Sequence, residues 1–155
     1  MGIKEGGQTA MEGSRNAGAL AEQMLADAYD LVLSGWCQGD SAQDEMGRAI
    51  EPSSAFARTW SLTGALERIW RRATGDQEVA LEGFERANLA LAAAVKDVPE
   101  RWNDAADRAK GQVLEALLEA RRFVQVDAEE SLLEDLLDDL DRYRDLPVSF
   151  SENPA

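Results

Sequence analysis

Residues 20–39 read "LAEQMLADAYDLVLSGWCQG", and this stretch decides the fold class. Leu20, Met24, Ala28, Leu31 and Val32 recur at three- and four-residue steps, the spacing that lines one face of an α-helix. Gly35 follows, a residue that tolerates the positive φ of a helix terminus, so the periodicity predicts a helix that stops there. Beyond it stands the only cysteine of the chain, Cys37, between Trp36 and Gln38 with Gly39 after them.

Working outward, helical periodicity dominates and alternating strand patterns are nearly absent. The polar, glycine-rich residues 1–14 read as a disordered segment. Residues 36–52 read as a loop. Pro52 with Ser53 or Ser54 signals a second helix, in which Phe56, Trp60, Leu66, Ile69 and Trp70 would form the apolar face up to Thr74-Gly75. A third helix is expected from near Asp76 to before Pro99, carrying Val79, Phe84, Ala87, Leu91, Ala94 and Val95. Asn103 or Asp104 can cap a fourth through a side-chain oxygen, with Ala106, Ala109, Val113, Leu117 and Ala120 as its buried stripe. "RFVQV" at 122–126 reads as extended. A fifth, acidic helix is expected over about 127–144, with Leu132, Leu133, Leu136, Leu137, Leu140 and Tyr143 opposite its carboxylates, and residues 145–155 form a tail. The prediction is an all-α bundle of about five helices, residues 15–144 making a single domain.

Composition removes many chemistries. The 155 residues hold no histidine, which takes away the usual general base near neutral pH, the commonest metal ligand and every Ser-His or Cys-His pair. One cysteine allows neither an internal disulfide nor a Cys-rich zinc site, so a cytoplasmic setting is the expectation. The longest low-polarity run, "ANLALAAAV" at 87–95, is too short to span a bilayer, and the N-terminus has no apolar signal region, so no membrane association is expected. A net charge of −14 repels phosphate backbones, which argues against direct nucleic-acid binding. "RIWRR" at 68–72 is the one basic stripe, and it reads as a solvated face beside a buried Trp70.

Three segments taken in order carry a resemblance. Gly35-Trp36-Cys37-Gln38-Gly39, then Trp60-Ser61-Leu62-Thr63-Gly64-Ala65-Leu66, then Trp102-Asn103-Asp104 with Arg108, Val113 and Ala120, resemble an uncharacterised bacterial and phage domain family. Its pattern is G-W-x-Q-G, aromatic-C-x-x-G-A-hydrophobic and W-N-D, and the resemblance covers roughly residues 19–121. It implies a fold and a candidate site but carries no reaction, and Ser61 stands where the family usually has cysteine.

Two readings of these segments are open. In one they are structural: Gly35 ends a helix, Trp36 plugs the core and Gly64 admits a close neighbour. In the other Trp36, Gln38, Trp102, Asn103, Asp104 and Arg108 converge as a polar, aromatic-walled pocket for a small ligand. No catalytic residue, cofactor or metal ligand is assigned. Cys37 has no histidine to activate it. The acidic run has neither a Glu-x-x-His pair nor a calcium-loop pattern, although Glu130, Glu134, Asp138, Asp141 and Asp145 share a face.

Residues 123–155 hold ten acids and two arginines, net −8, which leaves −6 for the first 122 residues. The last helix is therefore the electrostatic outlier. Glu134, Asp138 and Asp141 are its candidate partner-binding residues, and its leucines either close the core or form a seam with another copy. The functional expectation is a non-catalytic interaction or small-ligand module with an unidentified protein or ligand as partner. An acidic mimic of nucleic acid that inhibits a DNA-binding protein, and an enzyme using a carboxylate such as Asp104, are the alternatives.

Overall fold

The computed structural model describes residues 10–144. In chain order these form α1 (Ala10–Ser34), β1 (Ala42–Gln43), β2 (Thr59–Trp60), α2 (Leu62–Arg71), α3 (Gln77–Val95), α4 (Pro99–Asn103) and α5 (Lys110–Arg144). The molecule is all-α, as its periodicity predicts, with one two-residue antiparallel ladder pairing Ala42 with Trp60 and Gln43 with Thr59. Of the 1–14 segment expected to be disordered, residues 1–9 lie outside the described residues, while α1 already begins at Ala10. The expected tail, 145–155, also lies outside them.

Helices α1, α3 and α5 pack on one another, and α2 packs against α1. Ala21, Met24, Leu25, Ala28 and Val32 from α1 meet Ala87 and Leu91 from α3, and Val113, Leu117, Ala120 and Val124 from α5. So many alanines at the contact let the helix axes approach, and burial of the larger side chains between them supplies the favourable term. Lys110 reaches the Leu33 carbonyl at 2.6 Å and Arg121 pairs with Glu22 at 3.3 Å, which makes α5 run antiparallel to α1.

Three expectations are corrected. The second helix starts at Leu62 rather than at Ser53, and Phe56 is exposed rather than on its inner face. The working cap is Ser61, whose hydroxyl accepts the Gly64 N–H at 3.0 Å. The residues before it are held as a loop because side chains take their carbonyls: the Trp60 indole N–H and the Arg68 guanidinium both donate to Pro52, Arg68 also to Ser54, and Arg72 to Ser53. Secondly, Asn103 does not begin a helix but ends the short α4, which starts with Pro99 in its first turn. Ala106 and Ala109 are accordingly exposed. Thirdly, residues 122–126 are helical, so the expected fourth and fifth helices are one, α5, which is 35 residues long. Val124, four residues beyond Ala120, continues its buried stripe.

Candidate functional site

Asn103 is the centre of the corner that joins the three motif segments. It is fully buried and its amide is used completely. Its Oδ1 accepts the Trp36 indole N–H at 2.8 Å and the Leu62 backbone N–H at 3.0 Å. Its Nδ2 donates to the Cys37 carbonyl at 3.2 Å and to Asp104 Oδ1 at 2.9 Å. An asparagine side chain offers two donor hydrogens and two lone pairs, so no capacity is left. The bond to Leu62 also satisfies one of the first-turn N–H groups of α2 that has no intrahelical partner. The capping role expected of Asn103 is thus performed on another helix, 41 residues earlier.

Around this centre the remaining residues lock loop to loop. Gln38 Nε2 donates to the carbonyls of Asn103 at 2.9 Å and Ala105 at 2.8 Å. Asp104, which is exposed, accepts the Gly39 N–H at 3.0 Å. Arg108 donates through Nε to the Trp102 carbonyl at 2.8 Å and lays its guanidinium over the Trp102 ring, 3.7 Å from the centroid. The structure therefore brings together all six residues of the candidate ligand set. Trp36 and Trp102 are half-buried rather than core residues, the first tied through Asn103 to the segment that carries the second.

Two glycines explain how the backbones come so close. A Cβ on Gly64 would lie 1.8 Å from the Ser41 carbonyl oxygen, and one on Gly35 would lie 2.5 Å from that of Arg58. Neither position admits a side chain without displacing backbone.

Cys37 is buried, and that burial pushes its thiol above the ordinary value, with the carboxylates of Asp40 and Asp104 adding to the shift and the Thr59 hydroxyl opposing it. A thiol held neutral is a poor nucleophile and a poor metal ligand. No group of three or more Cys, Asp and Glu side chains suited to a metal ion occurs among the described residues, and no helix there is long and apolar enough to cross a membrane. The basic stripe is occupied by its own chain. Beyond the Arg68 and Arg72 bonds above, Arg71 pairs with Glu67 at 2.9 Å and covers Trp70, which is half-buried and stacked on Phe84 at 4.5 Å.

With this geometry in place, a family described as of unknown function, DUF6197, matches residues 17–123. The chain belongs to that family. The matched span takes in all three motif segments and ends at Phe123, so the acidic half of α5 lies beyond it. Neither the curated proteins nor the solved structures contain a match to the chain.

That acidic half is the second candidate surface, and it changes character in a regular way. Eighteen residues make five turns of α-helix, so positions 18 apart point in the same direction. Val113, Ala116, Leu117 and Ala120, all buried against α1 and α3, are succeeded on the same face by Ser131, Glu134, Asp135 and Asp138. On the outer face Glu115, Glu119 and Arg122 are succeeded by Leu133, Leu137 and Leu140, and Leu118 by Leu136. The apolar stripe moves about 160° around the axis between the two halves, at about 100° per residue. Leu132, Leu133, Leu136, Leu137 and Leu140 are consequently 47–59% exposed. Among the described residues, then, these leucines do not close the domain core. The candidate partner residues Glu134, Asp138 and Asp141 lie on the exposed part of the same segment.

One feature escaped the sequence reading. Between α1, α3 and α5 runs a groove of about 820 Å³, lined by Glu22, Arg86, Leu89, Phe123, Ser131 and Leu132 among others. Leu89 is 72% exposed beside it. The available signal was that Leu89 lies off the face defined by Ala87 and Leu91.

Proposed function

We propose that this domain is a non-catalytic protein-interaction module in which the α1–α3–α5 body holds out the second half of α5 as its contact surface. One observation supports the reading: the apolar stripe of α5 switches faces, so that Leu133, Leu136, Leu137 and Leu140 point away from α1 and α3, against which the first half of α5 packs among the described residues. A solvent-exposed helix end would ordinarily dispense with leucine on every face. Five exposed leucines in one continuous stripe are the pattern of a surface that meets another molecule.

The corner around Asn103 supports this assignment by being spoken for. A ligand there would find the buried amide already using every donor and acceptor, and would have to displace a bond between loops to gain one. We therefore assign Trp36, Gln38, Trp102, Asn103, Asp104 and Arg108 to holding the loops rather than to a ligand. The acidic-mimic alternative is less well supported, because an apolar ridge runs between the carboxylates where a duplex presents only charge.

The test uses affinity capture on the full chain and on Leu136→Gln/Leu140→Gln, followed by reconstitution with the purified captured protein and hydrogen-exchange mapping. The expected result is a protein retained by the parent chain, lost by the double variant, and protecting amides of residues 126–141. A bound protein or small molecule that protects the Trp36 and Trp102 segments, and binds the double variant as well as the parent, would contradict the reading.

A further inference from the structure

Within residues 126–141 the charged residues on both sides of the leucine stripe are all carboxylates, one of which, Asp139, also meets Arg142 at 3.5 Å. At 100° per residue, Asp135 and Asp139 fall along one edge of the stripe and Glu130, Glu134 and Asp141 along the other. Residues 126–141 contain eight acids and no lysine or arginine. Among helical partners that share an apolar seam, the charges flanking the seam decide which partner is accepted. A second copy of this chain would set eight further acids against these, and like charges across a seam are destabilising. An anionic lipid surface or a nucleic acid meets the same repulsion. The chemistry that complements the surface is a stripe of leucine-like side chains edged with positive charge.

We propose that residues 126–141 of α5 dock a basic amphipathic helix supplied by another protein. Its apolar residues, spaced three and four apart, pack among Leu132, Leu133, Leu136, Leu137 and Leu140, while its lysines or arginines lie against the two carboxylate rows. Leu132 also lines the groove between α1, α3 and α5, which gives the partner's apolar side an extension toward Phe123 and Leu89. The proposal rests on the reading of the α5 extension as a contact surface and adds the charge and shape of what it contacts. The carboxylates serve selection and encounter, and the leucines provide the buried area.

The probes are two synthetic 21-residue helical peptides with identical leucine spacing, one edged with lysine and the other with glutamate. They are titrated onto the full chain by fluorescence anisotropy, with the oligomeric state of the chain measured by sedimentation velocity. The lysine-edged peptide should bind at least tenfold more tightly than the glutamate-edged one, about 1.4 kcal/mol by the standard relation. That binding should weaken several-fold between low and high salt, and fall at least tenfold both in Leu136→Gln/Leu140→Gln and in Glu130→Gln/Glu134→Gln/Asp141→Asn. Equal binding of the two peptides, or of neither to a monomeric chain, overturns the basic-helix assignment while leaving the contact surface to be judged by its own footprint. A dimer that the leucine double variant converts to monomer overturns it in favour of a second copy. Binding of the lysine-edged peptide that ignores the leucine substitutions overturns the contact-surface reading itself.

Discussion

Asn103 concentrates the consequences of single substitutions. Asn103→Ala would leave the Trp36 indole N–H, the Leu62 N–H and the Cys37 carbonyl without their partner. At roughly 1 to 3 kcal/mol for each of the three desolvated groups left unpaired, a loss of at least about 3 kcal/mol is expected in urea unfolding. Asn103→Asp keeps the shape but places a carboxylate against the Cys37 carbonyl and Asp104. Burial and the like charge should raise its pKa, so this variant should become more stable as the pH falls and its carboxyl takes up a proton. An Asn103→Asp protein that tolerates pH 8 as well as the parent would show the amide to be dispensable. Gly64→Ala gives the opposite of what helix propensity promises. Propensity alone would add up to about 1 kcal/mol, whereas the 1.8 Å approach of its Cβ to Ser41 O forces the backbone apart and should cost about 2 kcal/mol or more. At Cys37 the folded thiol titrates above its ordinary range because of burial. The folded state then holds its proton longer than the unfolded state, so stability falls as pH rises from the ordinary thiol range through the raised value. Cys37→Ala should flatten that alkaline loss, a difference readable in melting temperatures between pH 7.5 and 10.5.

Among the elements, α5 shows both what the amino-acid pattern reveals and where local reading stops. Its first half is legible from Val113, Leu117 and Ala120, and its acidic second half from the leucines against carboxylates. The connection between them is not, because Phe123, Val124 and Val126 are β-favouring residues in a short run, and tertiary packing of Val124 onto the core outweighs that local preference. Once the run is read as extended, the 18-residue register across it is lost and the change of face cannot be seen. Pro52 and the serines after it misplace α2 for a related reason: local start signals are present, but the deciding interactions come from Trp60, Arg68 and Arg72, up to 19 residues away. Asp76 and α3, by contrast, follow local rules, with the Asp76 carboxylate accepting the Glu78 N–H at 2.9 Å. The six corner residues were identifiable as a set only through their ordered motifs, since bonds spanning 65 to 67 residues leave no trace in local spacing. At this scale Trp36→Phe should cost about 1 kcal/mol, the net worth of one hydrogen bond with Asn103 still held by Leu62.

At the scale of the whole described domain, the proposed function divides labour between its two ends. At one, Asn103, Gln38, Trp36 and Arg108 tie the loops after α1 to those flanking α4, and the family match covers this part of the chain. At the other, α5 continues past that match and trades its inward apolar face for an outward one. Stability should reside in the first part and recognition in the second, so substitutions at the two ends should act independently. Leu136 and Leu140 face outward and should contribute nothing to the stability of the bundle. The most direct measurement is urea unfolding of Leu136→Gln/Leu140→Gln beside the parent chain, at two protein concentrations. Midpoints and slopes should agree at both concentrations, with each substitution shifting stability by no more than about 0.5 kcal/mol, the ordinary range for surface positions. A loss of about 4 kcal/mol or more, the scale of two core leucines replaced by polar side chains, would contradict this and place the stripe inside the fold.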